Sequence, residues 1–399
     1  MRNIKDYGAI GDGNALDTAA IQRAIDDGGM VYVPRGVYRT GTLYLKSNGG
    51  LHLEAGAVLL ASHEPDDYNE WDFCPQNWKS KAEFTNGKHL IVAVEQENVF
   101  IEGQGTIKGE GSFWINEKMT MRGWPDPENI DYAVNEKNVR PAQMLFICEC
   151  KNVKITGVTL LDSPCWHLLL YGCEDVVVHG LTIKGARPRW TNDGIDIDAC
   201  SGVAVSDCLI DVGDDGITLR AAGERLLKKA NVCERITVTN CVIHAHRDNG
   251  IRIGVGSGLI RNCMLSNLDI EAPNLAGFEI NSKWSRSTEK ITSIENIICS
   301  NIQIRARRAF NIVSCVGEEK VTARCFIRNI VFNNIMLSQR ESSRVYGRED
   351  GPIEHLYFKD IYAVTDEMSD PRAPVFDIKG GETVFVENVM DTSSNMKGR

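Results

Sequence analysis

The sequence has no long apolar run and no block of basic residues, and both absences limit its function. None of its hydrophobic stretches approaches the roughly 18 to 20 uninterrupted apolar residues that a membrane-spanning helix needs. Its 44 Lys and Arg are outnumbered by 54 Asp and Glu, which gives a net charge of -10. Because a basic surface supplies most of the non-specific affinity for nucleic acid, we expect neither a membrane protein nor a nucleic-acid-binding protein.

The sequence also lacks the paired cysteines of a zinc site. Its 13 cysteines are scattered, no two of them form a CxxC pair, and the closest two are Cys148 and Cys150. We therefore expect free, buried thiols, no metal ion and no cofactor. The first residues contain no apolar segment followed by a cleavage site, so we expect a cytoplasmic location. A secreted protein whose leader had been removed would have the same appearance.

What the sequence does contain is a loose internal repeat of short β-branched runs. The runs alternate inward and outward residues, end in Gly, Asn or Asp, and recur about every 20 to 35 residues, for example at 153–157, 176–180, 203–207, 236–240, 297–301 and 330–334. Too few residues remain between them for crossover helices, so the pattern predicts an all-β fold, a right-handed parallel β-helix. The Asn or Asp that ends a run is expected to adopt left-handed backbone geometry and to stack with its equivalents in neighbouring coils.

This repeat covers most of the chain, so we expect a single β-helix domain over residues 1–399. The amphipathic segment 17–27 predicts an N-terminal capping helix, with Asp17 as N-cap and Gly28 and Gly29 as terminators. Residues 65–138 are aromatic and poor in repeats, and we expect them to form one wall of a groove. Residues 339–350 are predicted to form a second, polar loop.

Three successive coils carry a related tripeptide at the start of a strand: Asp193-Gly194-Ile195, Asp215-Gly216-Ile217 and Asn249-Gly250-Ile251. If the coils are in register, these polar residues stack at about 4.7 to 4.9 Å, with Asp214 beside them. Carboxyl groups at such short distances raise one another's pKa. One group can then stay protonated while another is ionised, as glycoside hydrolysis requires. A calcium site or solvated corner turns would use the same residues.

Five motifs follow one another along the chain: Asp6-Tyr7-Gly8-Ala9, Val-Tyr-Val-Pro-Arg-Gly-Val-Tyr at 31–38, Ser163-Pro164-Cys165-Trp166, Thr-Asn-Asp-Gly-Ile-Asp at 191–196, and Gly213-Asp214-Asp215. Together they resemble glycoside hydrolase family 28, the polygalacturonases. That family consists of parallel β-helix enzymes that cleave pectin with inversion and without a metal. The resemblance implies that Asp214 is the general acid and that Asp193 and Asp215 hold and deprotonate the attacking water.

Two stretches depart from the family's pattern. The family's Gly-His-Gly falls on Asp248-Asn249-Gly250, with His246 close by, so Asp248 or Asn249 stands at the His position. Its Arg-Ile-Lys, which holds the substrate carboxylate, falls on Glu279-Ile280-Asn281. With both cations gone, a galacturonate would face several carboxylates unless other cations intervene.

The predicted substrate-binding residues combine these positions with the nearby cations and aromatic residues: Asn192, Asp248, Asn249, Arg252, Arg220, His246, Glu279, Asn281, Lys283, Trp166 and Trp190. Arg suits bidentate binding of a carboxylate, and the two Trp would either stack on sugar rings or pack under a loop.

The sequence thus predicts an inverting glycoside hydrolase acting on galacturonan or rhamnogalacturonan fragments derived from pectin. A β-helix lyase is one alternative, although such chemistry usually uses calcium and a Lys or Arg base. A catalytically inactive carbohydrate-binding β-helix is the other, and the lost His, Arg and Lys keep it open.

Overall fold

The computed structural model describes residues 1–81, 85–114, 141–185, 191–282, 291–314, 325–364, 368–370, 372–381 and 383–391. The chain divides into two compact units, which are described separately. The first comprises Met1–Asp196, Cys208–Gly213 and Arg225–Lys229, and the second comprises Ile197–Asp207, Asp214–Glu224 and Ala230–Arg399. The expectation of a single domain over residues 1–399 stays a prediction.

The described residues form thirty strands and three short α-helices. The strands are β1 Arg2–Asn3, β2 Asp12–Leu16, β3 Met30–Val33, β4 Gly36–Thr40, β5 Leu43–Tyr44, β6 Gly49–Leu53, β7 Ala57–Ala61, β8 Ile91–Val94, β9 Glu97–Gly103, β10 Thr106–Lys108, β11 Leu145–Cys148, β12 Lys151–Thr156, β13 Thr159–Leu161, β14 Leu168–Tyr171, β15 Glu174–His179, β16 Thr182–Lys184, β17 Ile195–Asp198, β18 Ser201–Ser206, β19 Leu209–Val212, β20 Ile217–Ala221, β21 Val232–Thr239, β22 Val242–Ala245, β23 Ile251–Gly256, β24 Leu259–Asn281, β25 Ser293–Val313, β26 Ile327–Gln339, β27 Ser343–Tyr346, β28 Ile353–Val364, β29 Phe376–Lys379 and β30 Val384–Asp391. The helices are α1 Thr18–Asp26, α2 Trp78–Lys81 and α3 Gly111–Trp114, and short 3-10 helices span Ile4–Tyr7, Pro65–Asp67 and Pro75–Asn77.

Within the first unit, each strand pairs in parallel with the equivalent strand of the next coil. The three resulting rows are β1-β3-β6-β9-β12-β15, β2-β4-β7-β10-β13-β16-β19 and β5-β8-β11-β14. Alternate residues point into the core, as with Val153 and Ile155 of β12, which are each at most 1% exposed. This is the coil architecture that the repeat predicts.

Within the second unit, the same arrangement uses longer strands that bend through the corners of the coil. The 23-residue strand β24 and the 21-residue strand β25 each contribute to more than one row. The row β20-β23-β24-β25-β27-β29 carries the residues of the candidate site described below. Its inward positions include Phe278 and Phe310, whose rings stack at 6.0 Å between centroids.

The corners of the second unit confirm the predicted role of the terminal Asn. Asn240, Asn267, Asn301 and Asn334 all have positive φ angles, between 54° and 56°. Their side-chain amides form a continuous ladder, because the Nδ2 of each later residue donates to the Oδ1 of the one before at 2.8 to 3.2 Å. Asn suits these corners because its short polar side chain tolerates the left-handed region.

Two of the predicted segments differ in detail from expectation. Asp17 stands at the N-cap position of α1, but its carboxylate makes no cap hydrogen bond to the helix and instead accepts from the backbone N–H of Ile10 and Gly11 at 2.6 and 2.9 Å. The segment 339–350 is not only a loop, because its residues 343–346 form β27, which buries Ser343 and Val345.

The aromatic segment 65–138 is described only in part, since residues 82–84 and 115–138 lie outside the described residues. Its described part is not free of repeats, because β8, β9 and β10 continue the strand rows of the first unit. Trp71 and Trp78 pack edge to face at 5.1 Å within it. In the part of the chain described here, no helix is both long and apolar enough to cross a membrane.

Candidate active site

The second unit brings two of the repeated tripeptides into register. Ile217 of β20 pairs with Ile251 of β23, and the backbone N–H of Gly216 donates to the Asn249 carbonyl at 2.9 Å. A Cβ at Gly216 would lie 2.3 Å from the Cγ2 of Ile243, so only glycine fits between the coils. Asp215 and Asn249 therefore occupy equivalent positions in successive coils, as the sequence predicts.

Asp215 lies in a buried ion pair with Arg252. The Nη1 of Arg252 is 2.8 Å from the Oδ2 of Asp215, and the two side chains are only 6% and 1% exposed. The other oxygen of Asp215 accepts from the Nδ2 and the backbone N–H of Asn249, at 2.8 and 3.1 Å. Burial raises the pKa of Asp215, but the charge and hydrogen bond of Arg252 and the bonds from Asn249 outweigh it and hold that pKa below its usual value. Asp215 is thus ionised at neutral pH.

Asp248 has the opposite electrostatic environment. Burial and the negative charges of Asp215 and Asp214 raise its pKa well above the usual value, and the charge of Arg252 only partly offsets them. Its Oδ1 accepts a hydrogen bond from the Nδ2 of Asn249, which also contacts Asp215. A carboxyl group that holds its proton more tightly than usual therefore stands beside a carboxylate that loses its proton more readily than usual.

Asp214 adds a third carboxyl to this group. It is 8% exposed, and its Oδ1 accepts from the backbone N–H of Asp215 at 3.0 Å. Carboxylate oxygens of Asp214 and Asp215 lie within 4.8 Å of each other. The expectation of no metal ion and no cofactor stays a prediction.

Glu279 and Asn281 occupy the next coil of the same row. Glu279 pairs in register with Arg252 on one side and with Asn311 on the other. Its carboxylate accepts from the Nδ2 of Asn311 at 2.7 Å and from the Nδ2 of Asn281 at 3.2 Å. Burial raises the pKa of Glu279, although these two amides and the charge of Arg252 lower it in part.

Asn311 was not predicted from the sequence, although a signal was present. Phe278-Glu279-Ile280 and Phe310-Asn311-Ile312 share the same pattern, a polar residue between two core residues. That pattern marks equivalent outward positions of neighbouring coils.

Arg220 and His246, two other predicted site residues, also belong to the second unit. Arg220 is 5% exposed, and its carbonyl accepts from the backbone N–H of Ala199 at 3.0 Å. Its register position differs from that of Arg252, which pairs with Thr218. His246 follows β22, and its ring lies 3.8 Å from that of His244, between centroids.

The first unit contains Asp193 and Asn192, both nearly inaccessible to solvent. The carbonyl of Asp193 accepts from the backbone N–H of His167 at 2.9 Å and lies 2.8 Å from its Nδ1, and the Nδ2 of Asn192 donates to the Ser163 carbonyl at 2.7 Å. Burial lowers the pKa of His167, against the opposing effect of its carbonyl partners. We read His167, which sequence reasoning missed, as a neutral residue that fixes the backbone at Asp193.

Of the two alternatives for Trp166, sugar stacking and packing, its surroundings favour packing. Its side chain is 1% exposed and belongs to an apolar cluster of the first unit with Phe146, Leu169 and Tyr171, covered by Phe73. Trp190 and Lys283, together with Arg187 and Arg189, lie outside the described residues, so their predicted roles stay predictions.

Comparison with known proteins assigns the fold. An exopolygalacturonase from Thermotoga maritima superposes with a TM-score of 0.72 at 20% identity, over 98% of this chain and 91% of that one. A polygalacturonase from Erwinia carotovora gives a TM-score of 0.71 at 18% identity, over 94% and 95% of the two chains. These neighbours are right-handed parallel β-helices, and the chain has that fold.

Relatives by sequence belong to the same group. A probable polygalacturonase from Vitis vinifera is 28% identical over 55% of this chain and 44% of its own length. An exo-poly-α-D-galacturonosidase from Dickeya chrysanthemi is 27% identical over 65% and 48%. The chain thus spans about half the length of the curated relatives it matches.

Family models match two parts of the chain. Residues 1–48 match the rhamnogalacturonase A/epimerase, pectate lyase-like family. Residues 73–346, well over half of the chain, match glycosyl hydrolases family 28 and contain every described residue of the candidate site. The chain belongs to the glycosyl hydrolases of family 28.

Proposed function

We propose that this chain is an inverting glycoside hydrolase that cleaves pectin-derived oligosaccharides, galacturonan or rhamnogalacturonan fragments. Family membership supports the reaction class, and the relatives named polygalacturonase support the substrate class. The observation that carries the proposal is the pair of adjacent carboxyl groups of Asp214 and Asp215, in which Arg252 at 2.8 Å and Asn249 hold Asp215 ionised. Such a pair supplies the acid and the base that glycoside hydrolysis needs.

The proposed roles follow the motif order of the family. Asp214 donates a proton to the glycosidic oxygen as the bond to the anomeric carbon breaks. Water attacks that carbon from the opposite face, held by Asp193 and Asp215, and gives up one proton to Asp215. The charge of Arg252 and the amide of Asn249 keep Asp215 ionised for this step.

Asp248 takes a separate role in this proposal. It is one of the two residues, with Asn249, that correspond to the family's His, and in its protonated form it offers an O–H donor to a sugar hydroxyl. Glu279 and Asn281 replace the family's Arg and Lys, so the carboxylate of a uronate substrate needs a cation from elsewhere in the chain.

Product analysis tests the proposal. The protein is incubated with a panel of pectic oligosaccharides in the presence of a chelator, and the anomeric configuration of the first product is followed by proton NMR. We expect hydrolysis with inversion, and we expect Asp214→Asn and Asp215→Asn to abolish it. Asp269→Asn is the matched control, because Asp269 forms a half-exposed ion pair with Arg305.

Two results would contradict the proposal. Unsaturated products that absorb in the ultraviolet would identify a lyase. Binding of pectic oligosaccharides without any product would identify an inactive carbohydrate-binding β-helix.

A further inference from the structure

Two arginines of the second unit share one carboxylate, and a third lies next to them. The Oε1 of Glu341 accepts from the Nε of Arg307 at 2.6 Å, and its Oε2 accepts from the Nη2 of Arg308. The turn that carries Glu341 is fixed to the same strand, because its backbone N–H donates to the Arg307 carbonyl at 2.8 Å. Arg344, at the second position of β27, brings a third positive charge next to this group. The cluster Arg307, Arg308, Glu341 and Arg344 therefore carries a net charge of about +2 at neutral pH.

Arg344 is the cation of this cluster without an ionic partner. Among the described residues, no carboxylate lies within ion-pair distance of its guanidinium. Asp377, its register neighbour in β29, is already engaged by the hydroxyl of Tyr346 and by the Nζ of Lys379 at 3.3 Å. The guanidinium carbon of Arg344 instead lies 5.9 Å from the centroid of the Tyr346 ring. Its charge is left available to an outside anion.

Arg308 shows that the positive charge is not balanced within the protein. Its side chain is only 13% exposed, and its Nε is buried without a hydrogen-bond partner among the described residues. Burial lowers its pKa, and so do the charges of Arg344 and Arg307, against the opposing charge of Glu341. An added carboxylate nearby would relieve this repulsion.

The cluster lies on the same strand row as the candidate active site. Arg252, Glu279, Asn311 and Arg344 pair successively in register across β23, β24, β25 and β27. Their chain neighbours Ile253, Ile280, Ile312 and Val345 are all fully buried, so the four polar residues share the outward face. Three strand spacings separate Arg344 from Arg252, which amounts to about 14 Å. That separation exceeds one sugar ring, so a ligand at Arg344 would be a different residue of a bound oligosaccharide.

We propose that Arg308 and Arg344 bind the carboxylate of a uronic acid residue in the oligosaccharide whose glycosidic bond is cleaved beside Asp215. The substrate is therefore an acidic oligosaccharide with a uronate several residues from the bond that is cut. The planar guanidinium fork suits bidentate contact with a carboxylate. This inference rests on the proposed function for the position of the cleaved bond. The carboxylate site itself is supported by the contacts of Arg308 and Arg344.

The test uses the full chain and galacturonate oligosaccharides together with their methyl-esterified, uncharged counterparts. Binding is measured by calorimetry in the inactive Asp214→Asn background, and kcat and KM are measured in the active protein. We expect Arg344→Gln to weaken binding of the acidic ligand and to raise its KM by about tenfold, the loss of one charged contact, with kcat unchanged. The esterified ligand should be bound equally by both proteins, and Arg344→Lys should restore part of the affinity.

Arg328→Gln is the matched control. Arg328 is paired with Glu295 at 2.7 Å on β26, outside this row, and its loss should leave binding unchanged. Equal affinity of Arg344→Gln and the parent for the acidic ligand, or no binding of that ligand by either, would overturn the inference. Binding that depends on Arg344 without turnover would refute the proposed hydrolysis while supporting the carboxylate site. Turnover that is independent of Arg344 would support the proposed hydrolysis and refute the carboxylate site.

Discussion

Removal of Arg252 should reverse the ionisation of Asp215. At the observed 2.8 Å, a unit charge pair is worth about 6 kcal/mol at an effective dielectric constant of about 20. Desolvation of both groups opposes part of this, and removal of one partner of a buried pair typically costs about 3 to 5 kcal/mol. We expect Arg252→Gln to lose that much stability at neutral pH, because Asp215 is then a buried carboxylate without its counter-ion.

The pH dependence distinguishes this cause from a simple packing defect. In the parent, the lowered pKa of Asp215 contributes stability at neutral pH that is lost as the pH falls through that pKa. In Arg252→Gln burial dominates, the pKa of Asp215 lies above its usual value, and protonation on acidification relieves the buried charge. The stability difference between the two proteins should therefore narrow from pH 7 toward about pH 4.

Urea denaturation at both pH values measures this difference, and the pH profile of kcat/KM provides a second measurement. The acid limb of the profile should move to higher pH in Arg252→Gln, because the base must lose a proton that it now holds more tightly. Arg328→Gln is the control for removing an arginine from an ion pair, and since Arg328 is 40% exposed it should cost about 1 kcal/mol or less. An equal stability loss for Arg252→Gln at both pH values would refute the reasoning.

Three further predictions concern other parts of the structure. The raised pKa of Asp248 means that stability declines as the pH rises from the ordinary carboxyl pKa of about 4 toward the raised value, so thermal unfolding of Asp248→Asn should show a flatter decline above about pH 4, and an unchanged decline would contradict this. A Cβ at Gly185 would lie 1.6 Å from the Oδ1 of Asn192, so Gly185→Ala should cost about 1 to 3 kcal/mol in denaturant titration, whereas parent-like stability would argue against the contact. Asn267 has a φ of 54° and forms hydrogen bonds with two ladder neighbours. Asn267→Ala should therefore lose about 1 to 2 kcal/mol of unfolding free energy by calorimetry, and Asn267→Gly should lose less. A larger loss for Asn267→Gly would exclude backbone strain as the cause.

The coil architecture was predictable because it depends on short-range patterns. The alternation of core and surface residues, and the Asn that ends each run, follow from strand geometry and corner conformation alone. The ladder from Asn240 to Asn334 and the register of Asp215 with Asn249 are direct consequences of that repeat.

Side-chain surroundings were less predictable, because burial and pairing depend on which elements pack against a residue. Trp166 sits in a motif that suggested a sugar contact, yet it is buried in an apolar cluster against which Phe73 packs, and Phe73 precedes it by more than 90 positions. Arg252 was considered as a ligand for substrate, but the structure pairs it with Asp215. Sequence spacing does not give the direction of a long side chain.

The sequence by itself thus determined the repeat, the fold class and the acidic residues that resemble a hydrolase site. Only the tertiary structure decided which carboxyl group carries a proton, since that depends on the Arg252 charge and the burial around Asp215 and Asp248. It also gathered Arg308, Glu341 and Arg344 into one charged cluster. The physical reason is that a pKa is set by distances of a few ångströms, whereas the residues that set it come from separate coils of the chain.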